Sequence, residues 1–332
     1  MRLDFDEFLL QPPLLGNCQY DKMWVTANGK YPLLCGQNTK QHIYLDVAGK
    51  QYTDVTFLID ELQAELYQCP NRLGLAEKEP NAVYTVVQDG RLEKLMVNVQ
   101  ADEDLQVLQF DTRRAWNIQV TQIPCGCPKS ESSMDRLFSN NVPKAPVGCL
   151  SYHTGISGDL KSFNYDSFCC YSHDYLCNGN ALHECDMSAG YTGHLNNLDY
   201  SICIAEEYGF CGIEYIALDD EIGSFSMTNK TEMTPNSNFD EMRTNSGATN
   251  GDESCATDYI VLPGGHCKDD HSHYSSDRFC GNNLGVAGLS QSIVQYSSPF
   301  ILQIVTDKDE LTGSVDYMNR GFHLRYNQIP CR

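Results

Sequence analysis

Apolar and polar residues alternate along this chain in short runs, bounded by glycine, proline and cysteine rather than by helix caps. Leu3-Asp-Phe5-Asp-Glu-Phe8-Leu-Leu10, closed by Pro12-Pro13, is the first run. His42-Ile-Tyr-Leu-Asp-Val47 and Thr53-Asp-Val-Thr-Phe-Leu-Ile59 follow, rich in the β-branched and aromatic residues that fit a pleated, half-buried surface. Further strands are predicted at Arg91 to Val99, Ala115 to Thr121, Gly158 to Phe163, Asp199 to Ile204 and Gly212 to Leu218. The last stretch carries three apolar runs separated by turn chemistry: Tyr259 to Leu262, Pro299-Phe-Ile-Leu-Gln-Ile-Val-Thr-Asp307, and Gly321-Phe-His-Leu-Arg-Tyr-Asn-Gln-Ile-Pro-Cys331. This is the signature of an all-β chain built from the short strands of a sandwich.

The same signals occur twice. Cys18-Gln-Tyr-Asp21 parallels Cys255-Ala-Thr-Asp258, and Leu34-Cys35-Gly36 parallels Phe279-Cys280-Gly281. Gln122-Ile-Pro-Cys125 and Gln328-Ile-Pro-Cys331 match residue for residue, 206 positions apart (331 minus 125). One unit is therefore expected over 1–125 and a second over 149–332, joined by a Pro- and Ser-rich linker at 126–148. Cys149 lies 106 positions ahead of Cys255 (255 minus 149), whereas only seventeen residues precede Cys18. The first unit should accordingly lack its N-terminal half and leave an exposed sheet edge. Two insertions interrupt the strands. One spans about 60–95 and holds Glu61-Leu-Gln-Ala-Glu-Leu66, suited to a helical turn, and Cys69-Pro-Asn, which is not. The other, at about 165–193, holds Cys169, Cys170, Cys177 and Cys185. Adjacent cysteines bridge each other poorly, so internal pairing would join 169 with 177 and 170 with 185, or 169 with 185 and 170 with 177.

Sixteen cysteines in 332 residues exceed what a thiol-reducing compartment tolerates and point to a secreted, extracellular chain. A cytosolic zinc protein is disfavoured, because no pair of Cys-x-x-Cys knuckles at finger spacing is present. The net charge of −21 argues against nucleic-acid binding, which needs a basic face. No run of about eighteen apolar residues exists to span a membrane. The opening Met1-Arg-Leu-Asp-Phe-Asp lacks the basic and apolar regions of a signal peptide, so a secreted chain beginning there is expected to be a processed or shortened product.

The repeated residues resemble the second half of a CUB domain: a cysteine, an aspartate shortly after it, a strand, Cys-Gly, a strand ending in acidic residues, then Gly-Phe and a last strand. Cys149-Leu-Ser-Tyr-His-Thr-Gly155, Ser162-Phe163-Asn164, His194-Leu195, Asn197-Leu-Asp-Tyr200-Ser-Ile-Cys203-Ile and Gln41-His42-Ile-Tyr44 are similar to the tandem CUB-domain secreted proteins of arthropods. The resemblance implies two antiparallel, jelly-roll-like β-sandwiches, the first incomplete, and covers nearly all of the chain except the two insertions, which are expected to be disulfide-rich. It implies a non-catalytic binding role, bridges Cys255–Cys280 and Cys18–Cys35, and a weaker expectation of Cys149–Cys203. Cys69, Cys127 and Cys267 have no family partner.

Many CUB domains hold calcium in an acidic cluster at one end of the sandwich. Candidate ligands here are Asp252 or Glu253, Asp258, Asp307 and Asp309, since calcium takes six to eight hard oxygens. The family's glutamate falls on Asn250, and on Pro13 in the first unit, where Asp21 alone makes calcium unexpected. The alternative is that these carboxylates are simply solvated in a protein of such charge. His266-Cys267, Asp269-Asp270, His271 and His273 crowd a stretch that could hold zinc or copper, although an exposed polar loop is the simpler reading. Asn229-Lys-Thr231 is a glycosylation acceptor in a polar loop. Trp116 is expected in the core. Gly-x-Ser-x-Gly, His-Glu-x-x-His and Cys/His protease signatures are absent from the sequence. The expected function is extracellular binding or adhesion to a protein or glycan, with calcium as a candidate cofactor. The alternatives are a self-assembling structural protein, hence a homo-oligomer, or the accessory region of a larger secreted protease.

Overall fold

The structure, a computed structural model, describes residues 1–13, 16–59, 82–86, 92–96, 114–123, 142–167, 193–218, 224–227, 249–250, 255–268, 275–281, 283–284, 292–308 and 320–331. Eighteen strands and no helix run through these residues. The N-terminal half contains β1 (Arg2–Leu9), β2 (Lys22–Thr26), β3 (His42–Tyr44), β4 (Thr53–Leu58), β5 (Ala82–Val86), β6 (Leu92–Met96) and β7 (Ala115–Thr121). They form two small sheets, ordered β3-β1-β7 and β2-β4-β5-β6. Leu3, Phe5, Phe8 and Leu10 are buried while Asp6 and Glu7 are exposed. The register of β1 on β7 shifts between Phe5 and Glu7, and that irregularity lets a polar pair bulge outward without turning Phe8 away from the core. Phe8 meets Phe57 of β4 at 6.2 Å, and Trp116 of β7 stacks on Phe57 at 4.9 Å, so the two sheets share one apolar layer. Trp116 is half-buried and closes that layer from the side.

The C-terminal half supplies β8 (Cys149–His153), β9 (Ser157–Lys161), β10 (Asp199–Ile204), β11 (Phe210–Ala217), β12 (Phe225–Ser226), β13 (Thr249–Asn250), β14 (Tyr259–Cys267), β15 (Ser275–Cys280), β16 (Ser292–Gln295), β17 (Phe300–Val305) and β18 (Gly321–Pro330). One hydrogen-bonded path links β12-β18-β11-β16-β14-β17-β10-β8, with β13 and β15 beside β14, and β9 beside β18. The path folds into two layers at β14. Tyr259 to Val261 pair with β17, whereas His266 and Cys267 pair with β16, and the register breaks between Val261 and Gly265. Pro263-Gly264-Gly265 makes that corner. A Cβ on Gly265 would lie 2.9 Å from the Phe279 ring and 3.0 Å from Ile293, so the bend closes only over a residue without a side chain. The inward faces of β10, β14, β17 and β18 carry Ile202, Ile204, Ile260, Leu262, Phe300, Leu302, Ile304, Phe322 and Leu324, all buried.

Several expectations are corrected or refined. β5 lies within the stretch read as an insertion and continues the sheet from β4, pairing with β6 on its other side. β8 and β10 run parallel within an otherwise antiparallel sheet; the long connection through β9 and beyond supplies the crossover that a parallel pair needs. The exposed sheet edge expected in the N-terminal half is not found at β3: β8 lies beside it, and the His42 side chain contacts the Tyr152 main chain. The helical turn expected at 61–66, residues 126–141 of the linker expected at 126–148, and the four cysteines of the second insertion lie outside the described residues.

Candidate functional site

Three turns meet at one end of the C-terminal sandwich. Asp258 opens β14, and only 1% of its surface is exposed. The Asp307 N–H, just beyond β17, donates to Asp258 Oδ1 at 2.9 Å. Thr306 accepts from the Leu198 N–H at 2.9 Å and donates to the Leu195 carbonyl at 2.8 Å, while the Asn197 N–H donates to the Asp307 carbonyl at 2.6 Å. The 194–198 turn is thereby bonded to the 306–307 turn, with Asn197 at φ 57°, a conformation that asparagine tolerates. His194 is buried close enough to Asp258 to act on it electrostatically.

Burial raises the Asp258 carboxyl above the usual carboxylate range, and the negative charge of Asp307 acts in the same direction. His194 and the Asp307 N–H oppose the shift. A buried carboxylate facing a second carboxylate is relieved by a cation, and oxygen donors of this kind suit a hard one. Of the five acidic residues singled out in the sequence, Asp258 and Asp307 are brought together, and Asp252, Glu253 and Asp309 lie outside the described residues. Among the described residues no group of three or more His, Cys, Asp or Glu side chains converges.

The counterpart in the N-terminal half is built differently. Asp21 is buried and accepts the Gln11 N–H at 3.0 Å, and Arg114 bonds both of its oxygens, Nε to Oδ2 at 2.5 Å and Nη2 to Oδ1 at 3.1 Å. Arg114 stands eleven residues before Cys125 (125 minus 114), as Arg320 stands eleven before Cys331 (331 minus 320). Arg320 is also buried, but it sits 3.7 Å above the Tyr165 ring and donates to the Tyr165 carbonyl at 2.9 Å. In one unit the arginine neutralises the aspartate; in the other it is drawn to an aromatic ring. The equal spacing was the signal in the sequence that could have revealed this.

The animal CUB domain model matches residues 146–329, more than half of the chain. The chain belongs to the animal CUB domain family. Among solved structures, the CUB1-EGF-CUB2 domains of rat MASP-1 show 16% identity over 98% of this chain and 86% of that one, at a TM-score of 0.27. The corresponding domains of human MASP-1/3 show 15% identity over 98% and 87%, at a TM-score of 0.24. No curated protein matches the sequence.

All three disulfides implied by the resemblance are formed in the CUB domain and its neighbour: Cys18–Cys35, Cys149–Cys203 and Cys255–Cys280, with Cα separations of 5.7, 5.7 and 5.6 Å. A fourth, Cys211–Cys331, was not anticipated and ties the start of β11 to the end of β18. His266 and Cys267 do not belong to a loop, as expected, but end strand β14. Successive residues of a strand face opposite ways: Cys267 is buried, while His266 stacks on Tyr296 at 5.6 Å, so the two do not converge as ligands. Asp269, Asp270, His271, His273 and the acceptor Asn229 lie outside the described residues.

Proposed function

We propose that this CUB-domain chain is a secreted, non-catalytic binding protein that engages an extracellular protein or glycan through the turns around Asp258, with calcium as the bridging ion. CUB domains occur in extracellular proteins, and disulfides in both halves suit an oxidising environment. Among the described residues no helix is long and apolar enough to cross a membrane. The observation that carries the reading is the buried Asp258 carboxyl beside Asp307, raised by burial and by like charge, at a loop end of the sandwich. The 1–125 half is proposed as a second copy of the same unit, supported by Cys18–Cys35, Asp21 and Arg114 in equivalent places. Its arginine already occupies the aspartate, so the ion is assigned to the C-terminal unit alone.

Calcium titration at constant ionic strength tests this. The wild type should gain thermal stability, by about 2.7 kcal/mol at a hundred times the dissociation constant. Asp258→Asn keeps an acceptor for the Asp307 N–H and should lose the gain. A flat wild-type titration removes calcium from the proposal. Binding to arrayed extracellular proteins and glycans that persists with Asp258→Asn and in chelator would place the contact elsewhere on the surface.

A further inference from the structure

The two halves meet along the edges of two sheets. β3 borders the N-terminal sheet, β8 borders the large one, and a pair of imidazoles lies between them. The Tyr152 N–H donates to His42 Nε2 at 3.1 Å. The Tyr152 carbonyl stands at the same 3.1 Å from Nε2, so this nitrogen accepts from the Tyr152 N–H while His42 is neutral and would donate to the Tyr152 carbonyl once protonated. Ser151 Oγ stands 3.0 Å from His42 Nε2 and 3.1 Å from His153 Nε2, and the two rings lie 4.9 Å apart. Beneath them is a cavity of about 200 Å³.

We infer that this histidine pair is an acid-sensitive latch: the N-terminal half stays docked on the CUB domain while both imidazoles are neutral, and is released when they gain protons. Protonating His42 at Nε2 would exchange the bond from the Tyr152 N–H for one to the Tyr152 carbonyl, and a second proton on His153 would place two buried cations with ring centres 4.9 Å apart. Apart from that carbonyl, the charges acting on the two rings oppose protonation. Arg2 of β1 acts electrostatically on both rings, and Lys40 and Lys161 line the cavity. The carboxylates facing the pair already hold partners: Asp4 that of Arg2 at 2.9 Å, and Asp159 that of Arg325 at 3.0 Å. Tyr44 packs edge-on against His42 at 5.7 Å, and Tyr200 lines the cavity floor; both phenols are raised by burial and stay neutral in acid.

Burial, then His153 and Arg2, hold His42 down to about 3 against the bond to the Tyr152 carbonyl, which acts the other way, and burial, then Arg2, hold His153 down to about 4. Once the halves part, each ring returns toward 6.5. The docked state is therefore fully favoured above about pH 6.5 and loses that advantage as pH falls toward the depressed values. By pH 5 the opening equilibrium should rise by on the order of 100-fold or more.

Amide exchange of the intact chain, corrected for intrinsic rates, reads this directly. Between pH 7 and pH 5, protection of Ser151 to His153 should fall at least about tenfold, while Ile213 to Ile216 of β11 remain protected. In the His42→Gln, His153→Gln double variant, the amide oxygen can accept from Tyr152 without titrating, and protection should change less than about twofold. The proposal is overturned if wild-type β8 keeps its protection, if β11 loses protection in parallel, or if the folded double variant responds as the wild type does. Should the double variant not fold, the wild-type comparison of β8 with β11 decides, with His153→Gln alone expected to halve the logarithmic response.

Discussion

At the scale of single residues, the two aspartates that follow the repeated cysteines show how one position can serve opposite ends. Asp21 is completely enclosed at its side chain and Arg114 nearly so, at 0% and 7% exposure. Desolvating both charges is offset by two direct bonds and by the Gln11 N–H, an arrangement that is fragile to losing one member. Arg114→Met should therefore destabilise the chain by about 3–5 kcal/mol, because a buried carboxylate is left uncompensated. Adding Asp21→Asn, which keeps an acceptor for Gln11, should recover most of the loss. Urea midpoints of the two variants measure this, and a double variant no better than the single one would mean that Arg114 acts through packing rather than charge. The corresponding change at Arg320 disrupts, among its contacts, those with the Tyr165 ring and carbonyl, and should leave the raised Asp258 carboxyl as it is.

At the scale of strands, the disulfides differ in what they enclose. Cys211–Cys331 closes a loop of 120 residues and fastens the end of β18, whereas Cys18–Cys35 closes one of 17. Chain entropy alone then assigns about 5 kcal/mol to the first and about 3 kcal/mol to the second. Replacing Cys211 and Cys331 by alanine should lower the denaturation midpoint more than replacing Cys18 and Cys35, even though Cys211 and Cys331 are exposed and Cys35 is buried. The reverse order would show that native packing around Cys35 outweighs loop closure. This pair also marks where reading the sequence stops. Residues 199–204 of β10 and most of β17 were legible because one buried face imposes alternation, and three bridges followed from the CUB resemblance. Which strands become neighbours is not written in alternation. The pairing of Phe210 with Pro330 that brings Cys211 to Cys331, and the parallel course of β8 beside β10, are set by the closing of the sandwich. Asp258 and Asp307 were among the five acidic residues singled out in the sequence, yet the contact of His42 with Tyr152, 110 positions away, left no trace in either local pattern.

At the scale of the whole molecule, the N-terminal half is fixed to the CUB domain through main-chain groups, which sets its orientation as well as its proximity. The Asn164 N–H donates to Asn38 Oδ1 at 2.8 Å, Gln41 donates to the Ser162 carbonyl at 3.1 Å, and the Asn196 N–H donates to the Gly16 carbonyl at 2.8 Å. Two glycines allow the approach. A Cβ on Gly36 would fall 1.6 Å from Asn164 Oδ1, and one on Gly16 would fall 2.0 Å from Asn196 Oδ1, both at positive φ. Asn196 belongs to the same turn that bonds Thr306 and Asp307, so the N-terminal half supports the acidic end from behind. Gly16→Val should push the turn away, and its effect should travel to residues that Gly16 does not touch. Exchange at the Asn197 and Leu198 amides should quicken, and exchange at Asp307, bonded to Asp258, should quicken with them, while Ile213 to Ile216 stay protected. If Asn197 and Leu198 loosen but Asp307 does not, the acidic end holds its shape without the N-terminal half, and docking and ion binding are separate properties of the chain. If all three quicken together, release of the N-terminal half in acid would loosen the Asp258 end as well, coupling the histidine latch to the proposed calcium site.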